Sequence, residues 1–154
     1  MAAGGSRRSA AQPGVAVQAA LLKRLVKAAR EAREHAHAPY SGFKVGSAVL
    51  TRGGGLYRGC NVENASYGLC CCAERAALFN AIAAGCQPPG SLQPAGITHL
   101  AVIADTAAPV SPCGACRQVM IELGGPGLIV IQANVRGEAA VTTAGALLPG
   151  AFAL

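Results

Sequence analysis

Three cysteines and one glutamate are the residues of this sequence whose types and spacing could do chemistry. Cys72 is followed two positions later by Glu74, and Cys113 and Cys116 stand further along in a CxxC spacing. Hydrolytic zinc sites use three protein ligands and keep the fourth position for water, whereas structural zinc sites close with four. The thiols therefore predict one catalytic zinc ion per chain, with Glu74 as the proton carrier beside the open position.

The local structure expected around these thiols supports that prediction. Cys72 and Cys113 each open a predicted helix, where unpaired backbone N–H groups and the helix dipole lower the thiol pKa and favour the thiolate. Cys113 and Cys116 are one helical turn apart, so both sulfurs can face the same ion. Three thiolates overcompensate the charge of zinc, and Arg75 is the cation placed to offset the excess.

A structural zinc site and a redox CxxC motif are the alternatives. A closed zinc site would need a fourth ligand, for which the sequence offers Cys60, Cys70, Cys71, Cys86 and His99. His99 lies in an apolar stretch, and two of these cysteines lie too close to Cys72 to converge with it easily. We favour the catalytic site because a Cys-Ala-Glu triplet accompanies the CxxC pair and no fourth ligand is obvious.

The composition indicates a globular protein and argues against a membrane or nucleic-acid partner. The 154 residues suit one domain, and no apolar run approaches the roughly 20 residues that span a bilayer. The net charge of +6 could attract nucleic acid, but most of the N-terminal cations lie along one predicted helix. Tryptophan is absent, and no aromatic residues alternate with the cations to stack on bases.

The cysteine count indicates the redox compartment, and the N-terminal composition indicates where the folded domain begins. Seven cysteines, three of them consecutive, suit a disulfide framework badly and indicate a reducing compartment, which we expect to be the cytoplasm. Residues 1–14 are predicted to form a disordered tail and residues 15–154 a single domain. The tail is rich in Ala, Ser and Arg, and no acidic residue precedes Glu31, so an organellar transit peptide is an open alternative.

Hydrophobic periodicity and turn residues predict the elements that must position the thiols. The expected helices cover 15–37, stopped by Pro39, then 72–84 and 113–123, with a short helical segment before Pro149. The expected strands cover 44–52 and 56–62, joined by a glycine turn, then 98–104, 128–132 and 139–142. This order predicts an α/β protein, a three-layer α-β-α sandwich around a mixed five-stranded sheet.

Five longer motifs contain these chemical residues and carry a family resemblance. They are Ala38-Pro39-Tyr40-Ser41-Gly42-Phe43, Gly59-Cys60-Asn61-Val62-Glu63-Asn64-Ala65, Cys72-Ala73-Glu74-Arg75, Ser111-Pro112-Cys113-Gly114-Ala115-Cys116-Arg117-Gln118 and Leu147-Leu148-Pro149-Gly150-Ala151-Phe152. With them the chain resembles the cytidine deaminases of the small class with three cysteine ligands, over roughly residues 18–152. The resemblance implies a cytidine deaminase-like fold and a zinc-dependent deaminase domain.

The resemblance also implies roles that the residues alone would not give. Asn61 and Glu63 would hold the ribose hydroxyls, although the segment around them would otherwise indicate a polar turn. Phe43 would stack on the pyrimidine, although it would otherwise be taken for a core aromatic. The backbones of Ala73 and Cys113 would add polar contacts.

The assembly is implied in the same way. By resemblance the chain forms a homotetramer with shared active sites, in which three residues reach into a neighbour's site: Ala65, Tyr67 and Phe152.

The expected activity is the hydrolytic deamination of the nucleosides cytidine and deoxycytidine to uridine and deoxyuridine, with release of ammonia, in pyrimidine salvage. A deaminase of a related amine such as blasticidin S shares the thiol core, although Asn61 and Glu63 argue for a ribose ligand. A polynucleotide editor would normally have histidine as its first zinc ligand. A non-catalytic zinc-stabilised binding module is the alternative from a different class.

Overall fold

The computed structural model describes residues 13–86 and 95–152, with side chains from residue 18 onward. Helix α1 is Pro13–Arg33. Most of the predicted tail, residues 1–12, lies outside the described residues, but residues 13 and 14 belong to the helix. A proline suits the first helical position, where its missing N–H would have had no intrahelical partner.

The first helix ends earlier than predicted, and the expectation that it runs to residue 37 is wrong. The His37 amide donates to the carbonyl of Asn61 at 3.0 Å, and the His37 carbonyl accepts from the Glu63 amide at 2.8 Å. These bonds form an isolated parallel β-bridge between His37 and Val62. Pairing with a distant segment therefore takes the place of the last helical turn.

The sheet is mixed and five-stranded, as predicted. Its strands are β1 Val45–Thr51, β2 Leu56–Cys60, β3 Ile97–Ala104, β4 Ile129–Asn134 and β5 Ala139–Thr143. They lie in the order β2-β1-β3-β4-β5. Strands β3 and β4 are parallel, and the other neighbouring pairs are antiparallel.

Helices cover both faces of this sheet, which confirms the three-layer sandwich. The remaining helices are α2 Ala73–Ala83, α3 Gly114–Gly124, the short α4 Ala144–Leu147 and a 3₁₀ turn Tyr67–Leu69. Because successive strand residues point to opposite faces, Leu100 packs in the core under α2 and α3, whereas Ala101 packs in the core under α1.

Two glycines let helices approach the sheet closely enough to set their positions. A Cβ on Gly46 would lie 2.0 Å from the carbonyl oxygen of Ala29 in α1. A Cβ on Gly59 would lie 2.2 Å from the amide nitrogen of Ala77 in α2. The contact at Gly59 fixes α2 against β2, and with it the start of the helix that follows Cys72.

The parallel strands β3 and β4 are joined through α3, which begins ten residues after the end of the central strand β3. The N-termini of α2 and α3 meet as a result, and this brings the two thiol-bearing segments together. Within residues 13–86 and 95–152, no helix is both long and apolar enough to cross a bilayer.

Candidate active site

Two helix N-termini bring the three thiols together. Cys72 precedes the first residue of α2, Cys113 precedes the first residue of α3, and Cys116 lies in the first turn of α3. The three sulfurs lie within 4.8 Å of one another, and those of Cys72 and Cys113 are 3.8 Å apart. This spacing lets one ion touch all three.

Hydrogen bonding between the thiols shifts the pKa of Cys72 and the pKa of Cys116 in opposite directions. The pKa of Cys72 is lowered to about 5, first because the Cys116 thiol donates to it and then because Arg75 does. The pKa of Cys116 is raised, since that thiol keeps the shared proton and is buried. Three thiolates this close together would repel one another, and a bound cation would offset that repulsion. Thiolates are soft ligands that suit zinc, so the donor set fits the metal.

Glu74 lies in the first turn of α2 and is almost completely buried, with 4% of its surface exposed. It lines a cavity of about 200 Å³ together with Cys72 and Cys113. Burial raises the pKa of its carboxyl to about 7, and the nearby Cys72 charge also raises it. A carboxyl with this pKa can both accept and release a proton near neutral pH.

Arg75 lies against the thiol cluster. Its Nη2 donates to the sulfur of Cys72 at 3.6 Å and to the carbonyl of Cys70 at 3.0 Å. The bond to Cys72 raises the pKa of the guanidinium. Its buried Nε finds no hydrogen-bond partner among the described residues. The geometry thus places one positive charge beside one of the three sulfurs.

The same cavity contains several of the predicted substrate-binding residues. Phe43 and Asn61 line it opposite the thiols, and Ala73 lies beside Glu74. Phe43 remains 42% exposed, so part of its side chain is open to solvent. The predicted stacking residue, the thiols of Cys72 and Cys113 and the carboxyl of Glu74 therefore line one cavity.

Asn61 also has a structural role that the sequence did not predict. Its Oδ1 accepts from the amide of Val45 at 2.8 Å, and its Nδ2 donates to the carbonyl of Phe43 at 2.8 Å. An amide group has two donors and two acceptor lone pairs, so one of each stays free for a ligand. Asn61 therefore holds the segment that carries Phe43 while facing the cavity.

Glu63 lies outside the thiol cavity and lines a neighbouring one of about 210 Å³ with Tyr40, Ser41, Tyr67 and Cys70. Its Oε2 accepts from the amides of Tyr40 at 2.8 Å and Ser41 at 3.2 Å, and its Oε1 accepts from the Ser41 hydroxyl. The Ser41 hydroxyl is the main reason why the pKa of Glu63 is lowered, followed by the Tyr40 amide.

The three residues expected to reach a neighbour's site lie on the surface of this chain and do not line its thiol cavity. Ala65 is exposed, and the exposed fractions are 76% for Tyr67 and 69% for Phe152. The backbone of Phe152 is fixed, because its carbonyl accepts from Gln118 Nε2 at 2.7 Å. The ring of Tyr67 packs edge-on against Tyr40, with centroids 6.2 Å apart.

Arg117 is a supporting residue to which sequence reasoning gave no role. Its guanidinium donates to the carbonyl of Pro112 at 2.8 Å, to the carbonyl of Leu147 at 2.8 Å and to the hydroxyl of Ser111 at 3.0 Å. It thereby fixes the loop before Cys113 against α4. Its place directly after Cys116 is the one signal that could have indicated this function.

Comparison with known proteins agrees with this geometry. Residues 19–132 match the family model described as "Cytidine and deoxycytidylate deaminase zinc-binding region". A cytidine deaminase of Halalkalibacterium halodurans is 49% identical over 128 residues, covering 83% of this chain and 91% of the relative. One from Sporosarcina psychrophila is 44% identical over 131 residues, covering 85% and 90%.

Two solved structures are also similar to this chain. The crystal structure of cytidine deaminase from Burkholderia pseudomallei is 56% identical and superposes with a TM-score of 0.78, covering 84% of this chain and 98% of the other. The crystal structure from Mycobacterium leprae is 38% identical, with a TM-score of 0.66 over 82% and 96% of the two chains.

Proposed function

The chain belongs to the zinc-binding cytidine and deoxycytidylate deaminase family, and we propose that it hydrolyses the 4-amino group of cytidine and deoxycytidine. The products are uridine, deoxyuridine and ammonia. The observation that carries this function is the convergence of three thiols and the buried Glu74 on one cavity that also contains Phe43.

The mechanism follows from what each residue can do. Cys72, Cys113 and Cys116 would hold zinc, which when bound would supply a Lewis acid that lowers the pKa of water to about 7. Glu74 takes one proton from water and delivers it to N3 of the ring while the water oxygen bonds to C4. Glu74 then carries the second proton from that oxygen to the 4-amino group, which leaves as ammonia when the C4–N bond breaks. Arg75 offsets part of the thiolate charge through its bond to Cys72.

We assign the nucleoside contacts to residues around the two cavities. Phe43 stacks on the pyrimidine, the backbones of Ala73 and Cys113 add polar contacts to it, and Asn61 and Glu63 take the sugar hydroxyls. Support comes from the free donor and acceptor of Asn61 and from the carboxylate of Glu63 at the adjacent cavity. A carboxylate near the sugar repels phosphate, so the free nucleoside is favoured over CMP.

We further assign the chain to a homotetramer with shared active sites. Large apolar side chains are exposed on the single chain, and association would cover them. They include Tyr67, Leu69, Phe79 and Phe152. In this assembly Ala65, Tyr67 and Phe152 complete a neighbour's pocket.

The cellular role we assign is pyrimidine salvage in the cytoplasm. The activity converts free nucleosides, which is the chemistry of salvage. None of the seven cysteines is in a disulfide, and free thiols persist in a reducing compartment.

The test is an ultraviolet and ammonia assay of the zinc-loaded protein against cytidine, deoxycytidine, CMP, adenosine and blasticidin S. We expect turnover of the first two and a much lower specificity constant for CMP. Preference for blasticidin S would redirect the assignment to a related amine. Zinc binding without ammonia release from any compound would mean a binding module instead of an enzyme.

A further inference from the structure

The Ser41 hydroxyl connects two residues that face different cavities. It donates to Oε1 of Glu63 and accepts from the backbone amide of Phe43 at 3.0 Å. The Ser41 amide adds a second bond to Glu63, through Oε2 at 3.2 Å. One side chain therefore fixes both the direction of the Glu63 carboxylate and the path of the backbone that enters Phe43.

The turn around Ser41 has little freedom to compensate for a change. The amide of Gly42 donates to the carbonyl of Ala38 at 3.0 Å, and Gly42 has φ +67°, a left-handed conformation that favours glycine. On the far side of Phe43, Asn61 Nδ2 holds the Phe43 carbonyl. The Phe43 backbone is thus held at its amide by Ser41 and at its carbonyl by Asn61.

We propose that Ser41 is a positioning residue for substrate binding, because its hydroxyl holds the sugar-facing Glu63 and the base-facing Phe43 in one arrangement. This inference rests on the proposed function, in which those two residues contact the nucleoside. Recognition of the sugar and of the base is then coupled through the Ser41 hydroxyl, which bonds to both Glu63 and the Phe43 backbone.

Loss of the hydroxyl has a specific expected effect. Without it, the Glu63 carboxylate loses a charge-assisted bond and the Phe43 amide loses its acceptor, so both substrate contacts become less ordered. The thiols and Glu74 lie at the starts of α2 and α3, whereas the described side-chain hydrogen bonds of Ser41 go to Glu63 and Phe43. Binding should therefore weaken while the chemical step is largely kept.

The experiment compares Ser41→Ala with Ser41→Thr, which keeps the hydroxyl. With cytidine, we expect Ser41→Ala to raise KM about tenfold, the size expected for one hydrogen bond to a charged group, and to change kcat less than about twofold. Ser41→Thr should stay within about threefold of the unaltered KM. Zinc content and circular dichroism should match the unaltered protein for both.

A double-mutant cycle with Glu63→Gln separates coupling from general damage. If Ser41 acts through Glu63, Ser41→Ala should raise KM by only about two- to threefold in the Glu63→Gln background. A full tenfold effect in that background, or an unchanged KM in Ser41→Ala alone, would overturn the proposal. An unaltered protein that releases no ammonia from cytidine would overturn the proposed function and this inference together, whereas normal turnover with an unaffected Ser41→Ala overturns only the inference.

Discussion

At the scale of single residues, Glu74 differs from a solvent-exposed carboxylate in its burial and in its pKa. It is buried beside the thiol cluster, and its pKa is raised to about 7. Glu74→Gln keeps the shape of the side chain but removes the proton carrier. We expect turnover to fall by at least about 100-fold, the usual size of general acid–base catalysis, with zinc content almost unchanged. Kinetics and elemental analysis measure the two effects separately.

The exposed Glu122 of α3 gives a matched control, because Glu122→Gln makes the same chemical change away from the cavity. This control should retain full turnover. If Glu74→Gln kept half of its turnover, Glu74 would have no part in the mechanism.

The thiol cluster leads to a second prediction at the scale of single residues. Cys113→Ala leaves two sulfurs, which do not define the site, so both zinc and activity should be lost. Cys86→Ala removes a thiol outside the cluster and should retain one zinc per chain. Full zinc content in Cys113→Ala, measured by elemental analysis, would count decisively against this ligand set.

The site residues differ in how far the sequence could predict them. The three thiols and Glu74 were identified by type and spacing, because metal coordination restricts both. The bonds from Asn61 to Phe43 and to Val45, the first residue of β1, could not be predicted, since they join positions 18 and 16 residues apart through the folded shape. The role of Arg117 was not predicted for the same reason, because its guanidinium donates to the carbonyl of Leu147, which is 30 residues away in the chain.

At the scale of elements, the site depends on where α2 rests on the sheet. A Cβ on Gly59 would meet backbone atoms of α2, with Ala77 N at 2.2 Å and Ala73 O at 2.6 Å. Backbone cannot give way as a flexible side chain can, so Gly59→Ala should displace α2 and with it Cys72 and Glu74. We expect a loss of about 1–3 kcal/mol in the free energy of unfolding, the range for overpacking, and lower zinc affinity.

Thermal unfolding and a zinc competition assay measure these effects. Gly53→Ala in the adjacent hairpin turn is the control, because a Cβ there would have nothing within 4 Å. If both alanine variants behaved alike, the close approach at Gly59 would not be what fixes α2.

The elements themselves were largely predictable, because strong hydrophobic periodicity and turn glycines mark their limits. The exception is the end of α1. The helical spacing of apolar residues continues to residue 37, but the helix ends at Arg33. His37 leaves the helix to pair with Val62. A competing partner 25 residues away changes a boundary in a way that local periodicity cannot reveal.

At the scale of the whole molecule, the exposed C-terminal aromatic is the feature that a single chain does not explain. Phe152 is fixed through its carbonyl while its side chain stays 69% exposed. We predict that Phe152→Ala raises KM or lowers turnover while leaving the circular dichroism unchanged, because in the proposed tetramer the ring would complete a neighbour's pocket. Kinetics and sedimentation velocity check this together.

Val141 offers a matched control, since it is another exposed apolar side chain, at 56%, on the edge strand β5. Val141→Ala should leave the kinetics as they are. A fully active monomer at micromolar concentration would contradict the shared-site assembly.

The starts of the two helices that carry the thiols are about forty residues apart in the chain, and this has a consequence for local stability. A metal bound by Cys72, Cys113 and Cys116 would act as a reversible crosslink between the starts of these two helices. Its removal frees both ends to fray while the sheet stays intact. Amide hydrogen exchange should then accelerate first at the starts of α2 and α3, well below the temperature at which the sheet melts. Metal depletion would therefore appear as a change in local protection before any loss of the fold.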